Sequence, residues 1–196
     1  MLELRNIAAV LSGVTIRENV DGQARFMRLS DLSNLKAGRT PTLATGEAPE
    51  VARALGIKEG DLIVAARGAT TDVCMANETV FGAFVSLDLY LVRPDASKVN
   101  PQYLYAFLTL PTTQMAFAGG KQGTGLARLP KEALEQTKIP LPAMESQRLI
   151  AGLANSFELE SQLLKKLSDL NSVLGREVIA RAIGAADAKS NSRRKQ

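Results

Sequence analysis

Gly60-Asp61-Leu62-Ile63-Val64-Ala65-Ala66-Arg67-Gly68 is the stretch that decides how this chain is read. Its apolar residues run without a break from Leu62 to Ala66, after a Lys58-Glu59-Gly60 turn and before Arg67-Gly68. A run this short, closed by turn residues at both ends, reads as a strand with both faces buried. Outward from it, residues 79–87 and 90–93 are rich enough in β-branched and aromatic side chains to be strands as well. Residues 26–29 read as another. Between them lie short helices. Residues 51–55 end at Gly56, a suitable C-cap. Asn100-Pro101 opens a helix through Leu110, with Asn as N-cap and Pro at the first helical position. Residues 130–136 form a short helix leading into a strand-like 137–139. Strands and helices mix without a regular β-α-β alternation. The expected class is therefore α+β, one mixed domain, rather than a doubly wound sheet.

The composition changes at Ile139-Pro140-Leu141-Pro142. Up to Pro142 lie 12 of the 15 glycines and all eight prolines. After it the pattern turns helical, and Leu153, Phe157, Leu163, Leu167, Leu170, Leu174 and Val178 recur at threes and fours with some slips. The core of this row, Leu163 to Leu174, steps 4-3-4, the spacing of a coiled-coil seam. Such a helix spans roughly 55 Å, more than the width of the preceding domain. Either it folds back on that domain, broken near Gly152 or Gly175, or it docks on another chain. The expected organisation is a domain over 1–142, a long helix over 143–184 and a disordered basic tail over 185–196.

Composition also excludes functions. The 196 residues hold 24 basic and 20 acidic side chains, a net charge of +4, which permits a nucleic-acid partner without demanding one. There is no His, so His-dependent triads, bases and metal sites are ruled out. Cys74 is the single cysteine, which removes an intramolecular disulfide and any Cys-based zinc site. Set between Val73 and Met75, it reads as a small buried hydrophobe rather than a nucleophile. No apolar run has membrane length and residues 1–14 lack a secretory pattern, so a cytoplasmic protein is expected.

Two motifs invite overreading. Asn100-Pro101-Gln102-Tyr103 resembles the four-residue loop of amino-methyltransferases, but Gln102 replaces the second proline and no glycine-rich turn is present to hold a methyl donor. The helix-start reading accounts for both Asn100 and Pro101. Gly119-Gly120-Lys121-Gln122-Gly123-Thr124-Gly125 fails as a phosphate loop, because Met115 and Gln122 occupy the required glycine and hydroxyl positions. It fails as a dinucleotide fingerprint because Arg128 stands at the third glycine. The stretch remains a small polar loop. Lys121, Gln122, Thr124 and Arg128 could reach phosphates or base edges, and the same composition equally describes a plain surface loop. Arg67, at a strand end, could fork to guanine or phosphate, or pair with Asp61, Asp72 or Glu78. Arg17, Arg28 and Arg39, with Arg25, are weaker candidates of the same kind.

Taken in order, several segments resemble the DNA specificity subunit of type I restriction–modification enzymes. They are Ile7-Ala8-Ala9-Val10-Leu11-Ser12-Gly13, the 60–68 run, Asn100 through Leu108, Gly123-Thr124-Gly125, Leu129 to Leu134, Ile139-Pro140-Leu141-Pro142 and Glu145-Ser146-Gln147-Arg148-Leu149-Ile150. The likeness extends from about residue 2 to residue 183. It departs from the family where Ser146 separates the usual acid and Gln, and where a second recognition domain is missing. The resemblance implies a half-length, non-catalytic subunit with one target-recognition domain and one long helix, needing no cofactor of its own. It implies double-stranded DNA, a methyltransferase (modification) subunit and a restriction subunit as partners. Self-pairing of the helix would give a homodimer that reads an interrupted target, one half-site per chain. Two rivals stand beside this reading. One is an interaction module or orphan regulator that assembles without touching bases. The other is a small independent enzyme, disfavoured by the missing motifs.

Overall fold

The computed structural model describes residues 1–50, 54–123 and 127–193, with side chains as far as residue 183. The chain divides into two compact units, Met1–Gly152 and Leu153–Gln196.

The first unit is built around the stretch quoted above. Strand β5 (Leu62–Ala65) has every residue buried. It lies in a four-stranded antiparallel sheet ordered β2-β8-β5-β6, with β2 at Ala8–Ser12, β6 at Val73–Met75 and β8 at Leu89–Pro94. Side chains alternate across a strand, so Leu62, Val64 and Ala66 enter one core and Ile63 and Ala65 the other. This double burial is why the run is apolar throughout. The first core is closed by α2 (Pro101–Thr109), α3 (Pro111–Gly120) and α4 (Lys131–Glu135), through Leu104, Leu108, Phe117 and Leu134. The second is closed by α1 (Leu29–Lys36), through Leu32 and Leu35.

Two small sheets complete the unit. Strands β3 (Ala24–Met27), β4 (Ala44–Gly46) and β7 (Phe84–Val85) form one, ordered β4-β3-β7. Strands β1 (Leu2–Glu3) and β9 (Lys138–Ile139) form the other, so the chain start pairs with the approach to the long helix. Gly60 has φ +81, a left-handed turn conformation open to glycine, and it delivers the chain into β5.

The α+β expectation holds, with differences in detail. Residues 79–83 are a turn and not a strand: Asn77 Oδ1 accepts from the Thr79 amide and hydroxyl, Phe84–Val85 pair with β3, and Ser86 bridges Val14. The chain leaves β3 at Met27, so Leu29 opens α1, where Asp31 Oδ2 accepts from the Arg28 amide at 2.8 Å. Helix α3 was not anticipated, and it takes Gly119 and Gly120 out of the presumed loop. The helix expected over 51–55 falls mostly on residues outside the described ones, and Ala54 and Leu55 are not helical.

Helix α5 (Met144–Arg193) is continuous over 50 residues, unbroken at Gly152 or Gly175. At 1.5 Å per residue it is about 75 Å long. It continues past Ala185, where a disordered tail was expected. Three alanines and a lysine between 185 and 189, with no Gly or Pro up to Arg193, favour helix locally. Its start is fixed inside the first unit by Gln147, 2% exposed. Gln147 Oε1 accepts from the Asn100 amide at 2.9 Å and Nε2 donates to the Pro142 carbonyl at 3.0 Å. The Tyr103 hydroxyl donates to the Pro140 carbonyl at 2.7 Å. The Ile-Pro-Leu-Pro step is thus held by carbonyls, the only backbone hydrogen-bonding groups its prolines have.

Candidate nucleic-acid interface

Beyond Ala65 the β5 lane continues without β8. The Ala66 amide donates to the Asp88 carbonyl at 2.8 Å, and the Ala66 carbonyl accepts from the Leu129 amide at 2.8 Å. Segment 127–129 therefore takes over as the neighbour of the strand end. Arg67 bridges antiparallel to Arg128, and Arg128 exchanges two 2.9 Å backbone bonds with Gln122. Four of the candidate residues, Arg67, Lys121, Gln122 and Arg128, so meet at one end of the four-stranded sheet although 54 positions separate the first from the second.

Each carries a different local role. Arg67 Nε lies 3.1 Å from Asp88 Oδ1, with side chains 45% and 44% exposed. The Arg128 guanidinium sits over the Tyr90 ring, 5.5 Å from its centroid, a cation–π distance. Tyr90 is buried and its hydroxyl donates to the Leu129 carbonyl at 2.8 Å, tying the loop to β8. Lys121 Nζ donates to the Gly68 carbonyl at 2.7 Å and to Ala69 at 3.3 Å. Burial holds its pKa below the ordinary lysine value, against an opposing pull from Asp72. Its ammonium staples the end of α3 to the 67–70 turn. Gln122 is exposed. Thr124 lies outside the described residues.

The remaining arginines lie elsewhere. Arg28 pairs with Glu18 at 2.6 Å. Arg17 lines a separate cleft of about 480 Å³ together with Glu47, Glu50 and Lys131. Arg39 is exposed just beyond α1, its amide donating to the Asn34 carbonyl. Asp61 is not Arg67's partner. It is 1% exposed and takes Arg93 in two contacts of 2.7 and 2.8 Å, while Asp72 pairs with Lys36. Asn100 Oδ1 accepts from the amides of Gln102 and Tyr103, which is capping. Cys74 is buried, and burial pushes its thiol up to about 12, leaving no thiolate for chemistry near neutral pH.

Sequence reasoning missed Asp88 and Tyr90. Their only signal is register: Ile63 faces Leu91 and Ala65 faces Leu89, which carries Ala66 to Asp88. The field around the site is local. Residues 1–142 hold 15 basic and 14 acidic side chains, net +1, whereas residues 176–196 hold six basic and two acidic.

An α+β domain with a basic sheet end, followed by a helix of this length, has the architecture of a type I restriction–modification specificity module. Residues 21–170 match the type I restriction modification DNA specificity domain, and the chain belongs to that family. It is 27% identical over 116 residues to the type I restriction enzyme MjaVIII specificity subunit of Methanocaldococcus jannaschii, covering 59% of this chain and 26% of that protein. The HsdS subunit of Thermoanaerobacter tengcongensis shares the fold, with a TM-score of 0.61, 20% identity, and 84% of this chain against 38% of that one. The type I restriction–modification S subunit of M. genitalium does so with a TM-score of 0.58, 13% identity, and 87% against 41%. The chain thus spans between about a quarter and two-fifths of the length of these relatives.

Proposed function

We propose that this chain is a non-catalytic DNA-binding specificity subunit that reads one half of an interrupted target and pairs through α5 with a second copy. The observation that carries the pairing is the exposure of α5. Its large apolar side chains from Leu153 to Ile183 are all 53–62% exposed. Those at Leu163, Leu167, Leu170 and Leu174 form the 4-3-4 seam, and Phe157, Leu164 and Val178 widen the stripe on one side. A stripe of this size needs a covering surface, and a two-fold pair supplies one from the same sequence. Base reading falls to the sheet end around Arg67, Gln122 and Arg128. A methyltransferase subunit and a restriction subunit are the further partners, and the chemistry belongs to them.

The test combines light scattering with selection from a randomised duplex pool, using the full chain alone and with the modification subunit of the same organism. The expected results are a dimer near about 42 kDa, twice the chain mass of 21.0 kDa, uptake of the modification subunit, and enrichment of a two-part motif. A monomer that takes up the modification subunit and enriches nothing would favour the interaction-module reading.

A further inference from the structure

We infer that Asp88 is a specificity-determining residue, a carboxylate that accepts a hydrogen bond from the exocyclic amino group of cytosine or adenine in the major groove. The inference rests on the reading of the sheet end as the DNA-facing site. It begins from an oddity of that site. Arg67, Lys121 and Arg128 would suit phosphate, yet the Arg67 guanidinium is paired with an acid.

Stability does not account for it. A pair exposed to 45% and 44% adds little to folding, because solvent screens the attraction and two side chains lose freedom. A site for phosphate alone would be better without the acid, since a carboxylate repels phosphate. A base edge is different. Guanine offers acceptors that an arginine fork matches, whereas cytosine N4 and adenine N6 are donors that a carboxylate accepts.

The geometry leaves both functions available. Arg67 Nε and Asp88 Oδ1 make the nearest contact, at 3.1 Å, and each side chain is nearly half exposed. Among the described residues, no hydrogen bond or ion pair to a third residue engages the Arg67 guanidinium or the Asp88 carboxylate. The pair is also held from behind. The Asp88 carbonyl is bound by the Ala66 amide, and Arg67 is bridged to Arg128. Donors and an acceptor are therefore presented side by side by two adjoining strand ends whose backbones are fixed. The acid has a second effect. It disfavours phosphate beside Arg67 and so reserves that guanidinium for base edges, which raises discrimination at the expense of general affinity.

The experiment selects duplexes from a randomised pool with the wild-type full chain, Asp88→Asn, Asp88→Ser and Arg67→Ala. Glu59→Gln is the control, because it makes the same charge change at an exposed residue outside the site. Binding of the selected and of unrelated duplexes is then measured for each. Both Asp88 variants should bind unrelated DNA more tightly than Glu59→Gln does. They should also lose about fivefold or more of the preference at one motif position, which carries C or A on the strand they read. Arg67→Ala should relax that position or the adjacent one. Wild-type motif and discrimination retained in both Asp88 variants would overturn the role of Asp88 and leave the reading of the site intact. A wild-type chain that enriches no motif would overturn both.

Discussion

Removing the Asp61 carboxylate should cost the first unit about 3 kcal/mol, near the lower end of the range for breaking a buried ion pair. Asp61 is 1% exposed and accepts three hydrogen bonds: two from Arg93, at 2.7 and 2.8 Å, and one from the Lys58 amide at 2.8 Å. In Asp61→Ala, Arg93 keeps only the Gly56 carbonyl, at 2.8 Å, and the Lys58 amide is orphaned. The Arg93 side chain is 24% exposed, so water recovers part of the loss, which is why the lower end of the range applies. A loss of that size moves a urea midpoint down by roughly 1–2 M for a domain of this size. Far-UV circular dichroism against urea reads it directly. Arg93→Ala should cost a similar amount, because it leaves Asp61 buried without its cation. The double variant should then recover about 1.5 kcal/mol or more of the sum. Midpoints within about 0.3 M of wild type in both single variants, or strictly additive losses, would refute a stabilising role for the buried Asp61–Arg93 pair.

Three further outcomes follow from other parts of the molecule. Leu167→Asp with Leu170→Asp should leave the circular dichroism of the first unit unchanged while abolishing self-association, read as a mass of one chain by sedimentation; retained dimer would place the contact off the seam. Tyr90→Phe removes the hydroxyl that holds the Leu129 carbonyl and should destabilise by about 1 kcal/mol, with faster hydrogen exchange at Arg128 and Leu129 as its local signature. The Cys74 thiol is pushed up to about 12 from 9.0. A group whose pKa is raised by folding stabilises the fold below its unfolded value and loses that contribution as pH rises towards the folded one. Stability should therefore decline between about pH 9 and 12, and less steeply in Cys74→Ala; identical pH profiles for the two would contradict this.

How much was legible in the sequence depended on whether the signal was local. The 62–65 strand, the Asn100-Pro101 helix start and the apolar row of α5 announce themselves, because burial on two faces, capping and helical spacing each leave a short-range pattern. Residues 79–83 misled, since their β-branched and aromatic content outweighed an Asx turn at Asn77 that only the fold makes visible. Helix α3 was hidden by its two terminal glycines and a threonine pair, all poor helix formers that tertiary packing of Phe117 overrides. The candidate site was half readable. Arg67, Lys121, Gln122 and Arg128 could be proposed by residue type, but their convergence and the approach of Asp88 depend on strand register across more than twenty positions. Arg17, Arg28 and Arg39 show the converse, being indistinguishable from the others in sequence yet placed apart from them in the fold.

The burial of Cys74 has a practical consequence for testing the proposed pairing. A chain whose one native thiol is buried and protonated near neutral pH is spectroscopically blank towards thiol reagents, and it contains no tryptophan. A cysteine introduced on α5 would be the only site to take a spin label, with no need to remove the native residue. The 163–174 seam is centred between Ser168 and Asp169. Two antiparallel copies crossing there bring labels at position 168 close together and hold labels at position 182 about 40 Å apart. Parallel copies keep both pairs close. Two dipolar distances would thus report the polarity of the helix pair directly.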